Sequence, residues 1–305
     1  MRKIRYVPKS QTLVHITCRT IQGRYLFRPG PQFNDLFLGA LGKAQRDCEV
    51  KINLVSALSS HFHLLLTVDD AQQSADFMRN FKSKLALETN RFTGWRGTVF
   101  ECRYKMTAVT DEEKAQVAIF KYVLAQSVKE QLVERLEDWP GVHSIQALLD
   151  GASLTGHWFD RSQEHAARCR GEKYGEFRYA TTETVILSPI PCWAHLSAEA
   201  YRRRVASLKE DIETEAAVGR EKTGTEVLGV KAILAQDPLY RPEKLARSPA
   251  PLVHAATKAA RKAFHEAYSW FVGVFRDAAE KLRRGNRGAP FPAGSFPPAL
   301  PFVAG

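Results

Sequence analysis

Cysteine is scarce in this sequence. Five residues (Cys18, Cys48, Cys102, Cys169, Cys192) are scattered over 305 positions. None stands at the short spacing of a zinc knuckle or a disulfide framework, so a cysteine-stapled module is excluded and reduced, mostly buried thiols are expected. Long apolar runs are also absent. The greasiest stretch, Leu64-Leu65-Leu66, is strand-sized, and no membrane span is expected. Met1-Arg2-Lys3-Ile4-Arg5 is basic, but no long apolar segment follows it, so no secretory signal is expected and a cytoplasmic protein is. No Gly-rich loop ending in Lys-Ser or Lys-Thr occurs, and nucleotide-driven phosphate chemistry is not indicated. Acidic residues fall short of basic ones, 33 against 44, which leaves a formal charge of +11.

That excess favours a polyanionic partner, because a cationic surface releases counterions condensed on nucleic acid. The apolar fraction of 44% and charged fraction of 25% belong to an ordinary globular chain long enough for one large domain or two small ones. Leu13 to Thr17 reads as a strand. Pro31 to Asp47 has helical spacing at Phe33, Leu36, Phe37 and Leu41. Val50 to Leu58 and His61 to Val68 read as two strands joined at Ser59-Ser60. Ala71 to Phe92 reads as a helix ended by Gly94, and Val99 to Val109 as a fourth strand. Thr110 and Glu113 have capping-box spacing for a helix from Asp111 to about Ser127. Strand, helix, hairpin, helix, strand, helix predicts an α+β antiparallel sheet flanked by helices, not a doubly wound sheet.

Two features carry chemistry. In His61-Phe62-His63, strand alternation puts both imidazoles on one face, where they can grip one metal ion. Phe62, Leu64, Leu66 and Val68 fall on the other. With nine histidines, chance alone supplies about 0.3 such triplets, so the residues by themselves leave two merely structural histidines open. The second feature is Tyr122 and Gln126, four apart on the capped helix and therefore on one face. A tyrosine can attack phosphorus, and an amide oxygen suits Mg²⁺ or Mn²⁺. A half-buried Tyr beside a surface Gln is the alternative.

In this order these features resemble the HUH endonuclease fold. More narrowly, the chain resembles the REP-associated tyrosine transposases. The apolar run after His63 is shared with that family, as is a tyrosine followed four residues later by an amide. Thr17-Cys18-Arg19, Phe100-Glu101-Cys102-Arg103-Tyr104, and Gln131 to Arg135 through Asp138-Trp139-Pro140 resemble it as well. Ser60 stands where the family commonly has Asn or Asp, and Gln126-Ser127-Val128 where it often reads Asn-Pro-Val.

The resemblance covers roughly the first half of the chain and implies a ferredoxin-like catalytic domain over 1–152; composition gives a basic linker over 153–192. A helical domain over 193–288, read either as a DNA-binding accessory or as a packing domain with a solvated charged face, and a Pro/Phe-rich tail over 289–305 follow. The resemblance implies Tyr122 as nucleophile, with His61, His63 and Gln126 holding Mg²⁺ or Mn²⁺ and Arg19, Arg103, Lys121 and Lys129 contacting DNA. The implied activity is nicking and rejoining of hairpin-forming single-stranded DNA through a 5′-phosphotyrosine, by a monomer or homodimer. The competing expectation is a domesticated, catalytically weak protein that binds palindromic hairpins. A zinc hydrolase is disfavoured, because no helix-borne Cys, Asp or Glu stands near the triplet. Tyr104 is read as packing. His143, His157, His165, His195, His254 and His265 show no ligand spacing with one another and are left outside the site. In the helical region, helices are expected over Ala198 to Ala217, Val227 to Leu234 and Val253 to Arg284. Trp193, Tyr201 and Tyr240 are read as core or packing, with base stacking the alternative.

Overall fold

A computed structural model describes residues 4–243 and 251–298. Three strands lie where the apolar pattern places them, β1 (Thr12–Arg19), β2 (Lys51–Leu58) and β3 (His61–Val68), and a fourth, β4 (Lys105–Val109), is shorter than expected. Between them run α1 (Pro31–Cys48), opened by proline at a position needing no donor, and α2 (Ala71–Thr93). Asp70 caps α2 by accepting from the Gln73 N–H at 2.7 Å, and Gly94 ends it at φ 69°. With a short strand β7 (Val253–His254) at one edge, the sheet order is β2-β3-β1-β4-β7. The neighbours from β2 to β4 are antiparallel, and β7 joins the β4 edge in parallel.

Each face of the sheet carries a core. Val14, Ile16, Phe62, Leu64 and Leu66 meet Phe33, Phe37, Phe77 and Phe81 from α1 and α2. Leu13 and Leu65, of the opposite parity, and Leu54, turned to that face by a bulge after Ile52, meet Ile119, Phe120, Val123 and Leu124 of α3 (Glu113–Leu124). Burial on both faces removes β3 from water except at its start, which fixes its register and hence the direction of its histidines.

The α+β sheet flanked by helices is as expected, but several boundaries differ. The fourth strand begins at Lys105, and residues 99–101 bond instead to the end of β1 and the turn after it, Ile21 N–H to Val99 O and Glu101 N–H to Arg19 O. The Thr110–Glu113 capping box does not form. Thr110 Oγ1 donates to Glu112 at 2.8 Å, and Glu113 accepts from the Trp193 indole at 3.2 Å. The helix also breaks at Ala125, and α4 (Gln126–Lys129) follows. After α5 (Ile145–Asp150), the stretch read as a basic linker holds β5 (Leu154–Phe159), α6 (Arg161–Cys169) and β6 (Ala180–Val185). That pair of strands lies so close on α1 that a Cβ at Gly39 would sit 2.0 Å from the His157 oxygen.

Beyond it come α7 (Ala198–Thr223), α8 (Val230–Leu234) and α9 (Lys258–Arg283). Tyr201, Val205 and Ile212 bury α7 in the α3-side core. The last helix starts five residues later than its apolar stripe suggests. Val253 and His254 pair with the open β4 edge, and Thr257 caps the helix by accepting from the Ala260 N–H. Residues 299–305 of the expected tail lie outside the described residues.

Candidate active site

Strand pairing fixes the two imidazoles. His61 stands opposite Arg19, and His63 opposite Thr17 on one side and Ser56 on the other. Residues paired directly across a sheet share a face. Phe62, fully buried on the other face among Phe27, Phe37, Phe81 and Phe100, anchors the strand between them. The His61 and His63 ring centroids are 5.1 Å apart.

Burial drives both histidines neutral. It lowers His61 to about 4, with the Arg19 charge adding to the effect. It lowers His63 well below the ordinary range, helped by His61, His15 and Lys129. The neutral ring is the form that ligates a metal. Each Nδ1 already has a partner, Ser60 Oγ at 3.1 Å for His61 and His15 Nε2 at 2.9 Å for His63. Nε2 of His63 is buried without one, as are Ser56 Oγ beside it and Ser127 Oγ on α4. Orphaned polar atoms of this kind are what a cation or its bound water satisfies. The two neutral imidazoles therefore fit a divalent ion. Among the described residues no three His, Cys, Asp or Glu side chains are grouped to hold a metal. Among those residues a third protein ligand would be of another type.

Gln126 is such a group. It is 2% exposed, and its Nε2 donates to the Tyr122 carbonyl at 2.7 Å, which leaves Oε1 free of that bond and able to act as an acceptor or a hard ligand. Despite the helix break, Gln126 remains tied to the turn bearing Tyr122. Tyr122 is 40% exposed, and its ring lies 6.0 Å from those of His63 and His15. Lys129 Nζ sits 4.4 Å over that ring. Tyr104 is different. It is buried, and its hydroxyl donates to the Ser74 carbonyl of α2 on the opposite side of the sheet. The two tyrosines are thus separated by accessibility and by face.

The basic residues do not behave alike. Arg19 ends β1 across from His61, and Lys129 is exposed beside Tyr122. Arg103 is exposed in the stretch before β4, near Arg5. Lys121 turns toward α7 and pairs with Glu215 at 2.7 Å, so its charge is partly spent inside the protein. Tyr122 opens onto two grooves. One, about 520 Å³, runs between α3 and α7 past Lys129 and Arg220. The other, about 750 Å³, runs past Lys114, His254, Arg261 and His265. Trp193 and Tyr201 are core residues, whereas Tyr240 is exposed against Tyr25.

Two residues of this face escape sequence reasoning. His15 lies between His63 and His254, with Nδ1 3.4 Å from the latter's Nε2. His15 carries a weak signal, a lone histidine in an apolar strand. His254 carries none, since its place depends on β7 joining a sheet built about 150 residues earlier in the chain.

No protein-family model matches the chain, and no curated protein matches it. Among solved structures, similarity is found to a REP-associated tyrosine transposase bound to a REP hairpin. The identity is 17% and the TM-score 0.39, over 49% of this chain and 86% of that one. A Deinococcus radiodurans R1 protein described as a transposase is 20% identical at a TM-score of 0.28, over 39% of this chain and 95% of that one. The chain is thus similar, at low identity and over half its length or less, to two solved structures described as transposases.

Proposed function

We propose that the protein nicks and rejoins single-stranded DNA through a covalent link to Tyr122. The observation that carries the reading is the exposed Tyr122 ring 6.0 Å from a buried, neutral His63 whose Nε2 has no partner. His61, His63 and Gln126 would hold the ion. A bound Mg²⁺ or Mn²⁺ supplies Lewis acidity at the scissile phosphate and offsets charge developing there.

The chain's own groups do the rest. Tyr122 Oη attacks phosphorus in line, a P–O bond to tyrosine forms, and the bond to the 3′ oxygen breaks. The phenol proton leaves toward that oxygen, giving a 5′-phosphotyrosine and a 3′-hydroxyl. Lys129, over the ring, holds the phenol in place by a cation–π contact and offers its charge to the phosphate. Resealing is the same step reversed with either the original or another 3′-hydroxyl, so bond energy is conserved and no nucleotide is consumed. Arg19, Arg103 and Lys129 supply phosphate contacts that position the strand without reading its sequence.

The test is incubation with labelled hairpin-forming single strands and Mn²⁺, followed by denaturing electrophoresis. A protein–DNA band is expected from the wild type and from Tyr104→Phe. It should be lost in Tyr122→Phe, in His61→Ala and in chelator. An adduct in Tyr122→Phe refutes the assignment. Hairpin binding without any adduct, across varied hairpins, supports the catalytically weak binding protein instead.

A further inference from the structure

Three imidazoles, not one, stand in a row behind the orphaned Nε2. His63 Nδ1 lies 2.9 Å from His15 Nε2, with the ring planes within 9° of parallel. His15 Nδ1 lies 3.4 Å from His254 Nε2. The rings come from β3, β1 and β7, neighbouring strands except for the interposed β4. A neutral imidazole has one donor nitrogen and one acceptor, so such a row can point in only two directions. In one, His63 Nδ1–H donates to His15, and His15 Nδ1–H donates to His254. His63 Nε2 is then a bare lone pair. In the other, every bond reverses and His63 Nε2 carries a hydrogen. That hydrogen would aim at the place where a cation must sit and would have no acceptor. A ligating histidine whose far nitrogen donates to a partner is held in the metal-binding tautomer.

We propose that His15 and His254 are positioning residues that set the tautomer of His63 and present its Nε2 to the metal. The proposal rests on the metal reading given above. It assigns the segment at 251–254 a part in the site, because β7 brings the last ring of the row to a sheet that the first 109 residues otherwise build.

The row can be read on the full chain without metal. Long-range proton–nitrogen NMR should find His63 protonated at Nδ1 in the wild type, with Nε2–H gaining population in His15→Ala. Calorimetric titration with Mn²⁺ should show His15→Ala weakened by about ten- to a hundredfold, the usual cost of losing such a partner. His254→Ala should lose less, in the same direction. His15→Gln places an amide oxygen near the former Nε2 and should restore most of the affinity. His15→Leu, which fills the space without an acceptor, should not. His63 protonated at Nε2 in the wild type overturns the proposal, as does equal Mn²⁺ affinity in the wild type and His15→Ala. If His15→Ala fails to fold, the wild-type spectrum and the Gln–Leu contrast decide. A wild type that binds no Mn²⁺ yet shows the His15-dependent Nδ1–H tautomer removes the metal reading and leaves the row standing.

Discussion

Acid should loosen this protein through His143, and the effect can be isolated. His143 is buried where α3 ends. Its Nε2–H donates to the Leu124 carbonyl at 3.1 Å, and its Nδ1 accepts from the Ile145 N–H at 3.2 Å. Both nitrogens are committed, so a second proton has no place. Burial lowers the group to about 4 from an ordinary 6.5, with the Leu124 carbonyl pulling the other way. Between those values the unfolded chain holds the proton and the folded one does not, so stability falls as pH falls. The loss is about 1.4 kcal/mol per pH unit, or roughly 3.4 kcal/mol from pH 6.5 to 4.

His143→Gln keeps a donor for Leu124 and removes the titration. At pH 7 it should be less stable by about 1–3 kcal/mol, because Ile145 N–H loses its acceptor. On acidification the gap should close and then invert. Urea unfolding followed by tryptophan fluorescence, repeated from pH 7 to pH 4.5, measures it. The other buried histidines titrate alike in both proteins and cancel in the difference. Parallel pH profiles for wild type and His143→Gln would refute the reasoning.

Other outcomes follow from packing and charge. Phe62→Ala deletes a fully buried ring and should cost about 3–5 kcal/mol, read as a fall in Tm, with loss of Mn²⁺ binding as β3 loosens. Gly39→Ala puts a methyl 2.0 Å from the His157 oxygen and should destabilise by at least about 1–3 kcal/mol. Gly219→Ala, within α7 and facing open space, should stabilise by about 0.5–1 kcal/mol in the same thermal assay. Lys129→Ala removes a cation over the Tyr122 ring, worth about 0.5–1 kcal/mol at an exposed site. It should slow adduct formation in a time course while Tm changes little.

The order of elements from β1 to α3 and the shared face of His61 and His63 follow from the sequence, because periods of 2 and 3.6 are local properties of the chain. Boundaries were less legible where a side chain had a distant partner. Glu113 caps nothing at its own helix start because Trp193 and Arg204 claim it. Helical spacing through Val253 gave way to a strand because β4 offered an unpaired edge. The 153–192 stretch reads as a basic linker because its two strands are short and carry polar residues, and their order depends on docking on α1 at Gly39 and Gly156.

Alternation and charge alone determined that two imidazoles share a face of a buried strand in a basic chain with no membrane-length apolar run. Tertiary structure decided how near the helix-borne tyrosine stands to them, since the 6.0 Å between the Tyr122 and His63 rings depends on α3 packing across the sheet, while Tyr104 is buried against α2 on the other face. It also decided that His15 and His254 stand behind His63, because hydrogen bonds between strands far apart in the chain depend on pairing, which no local period encodes.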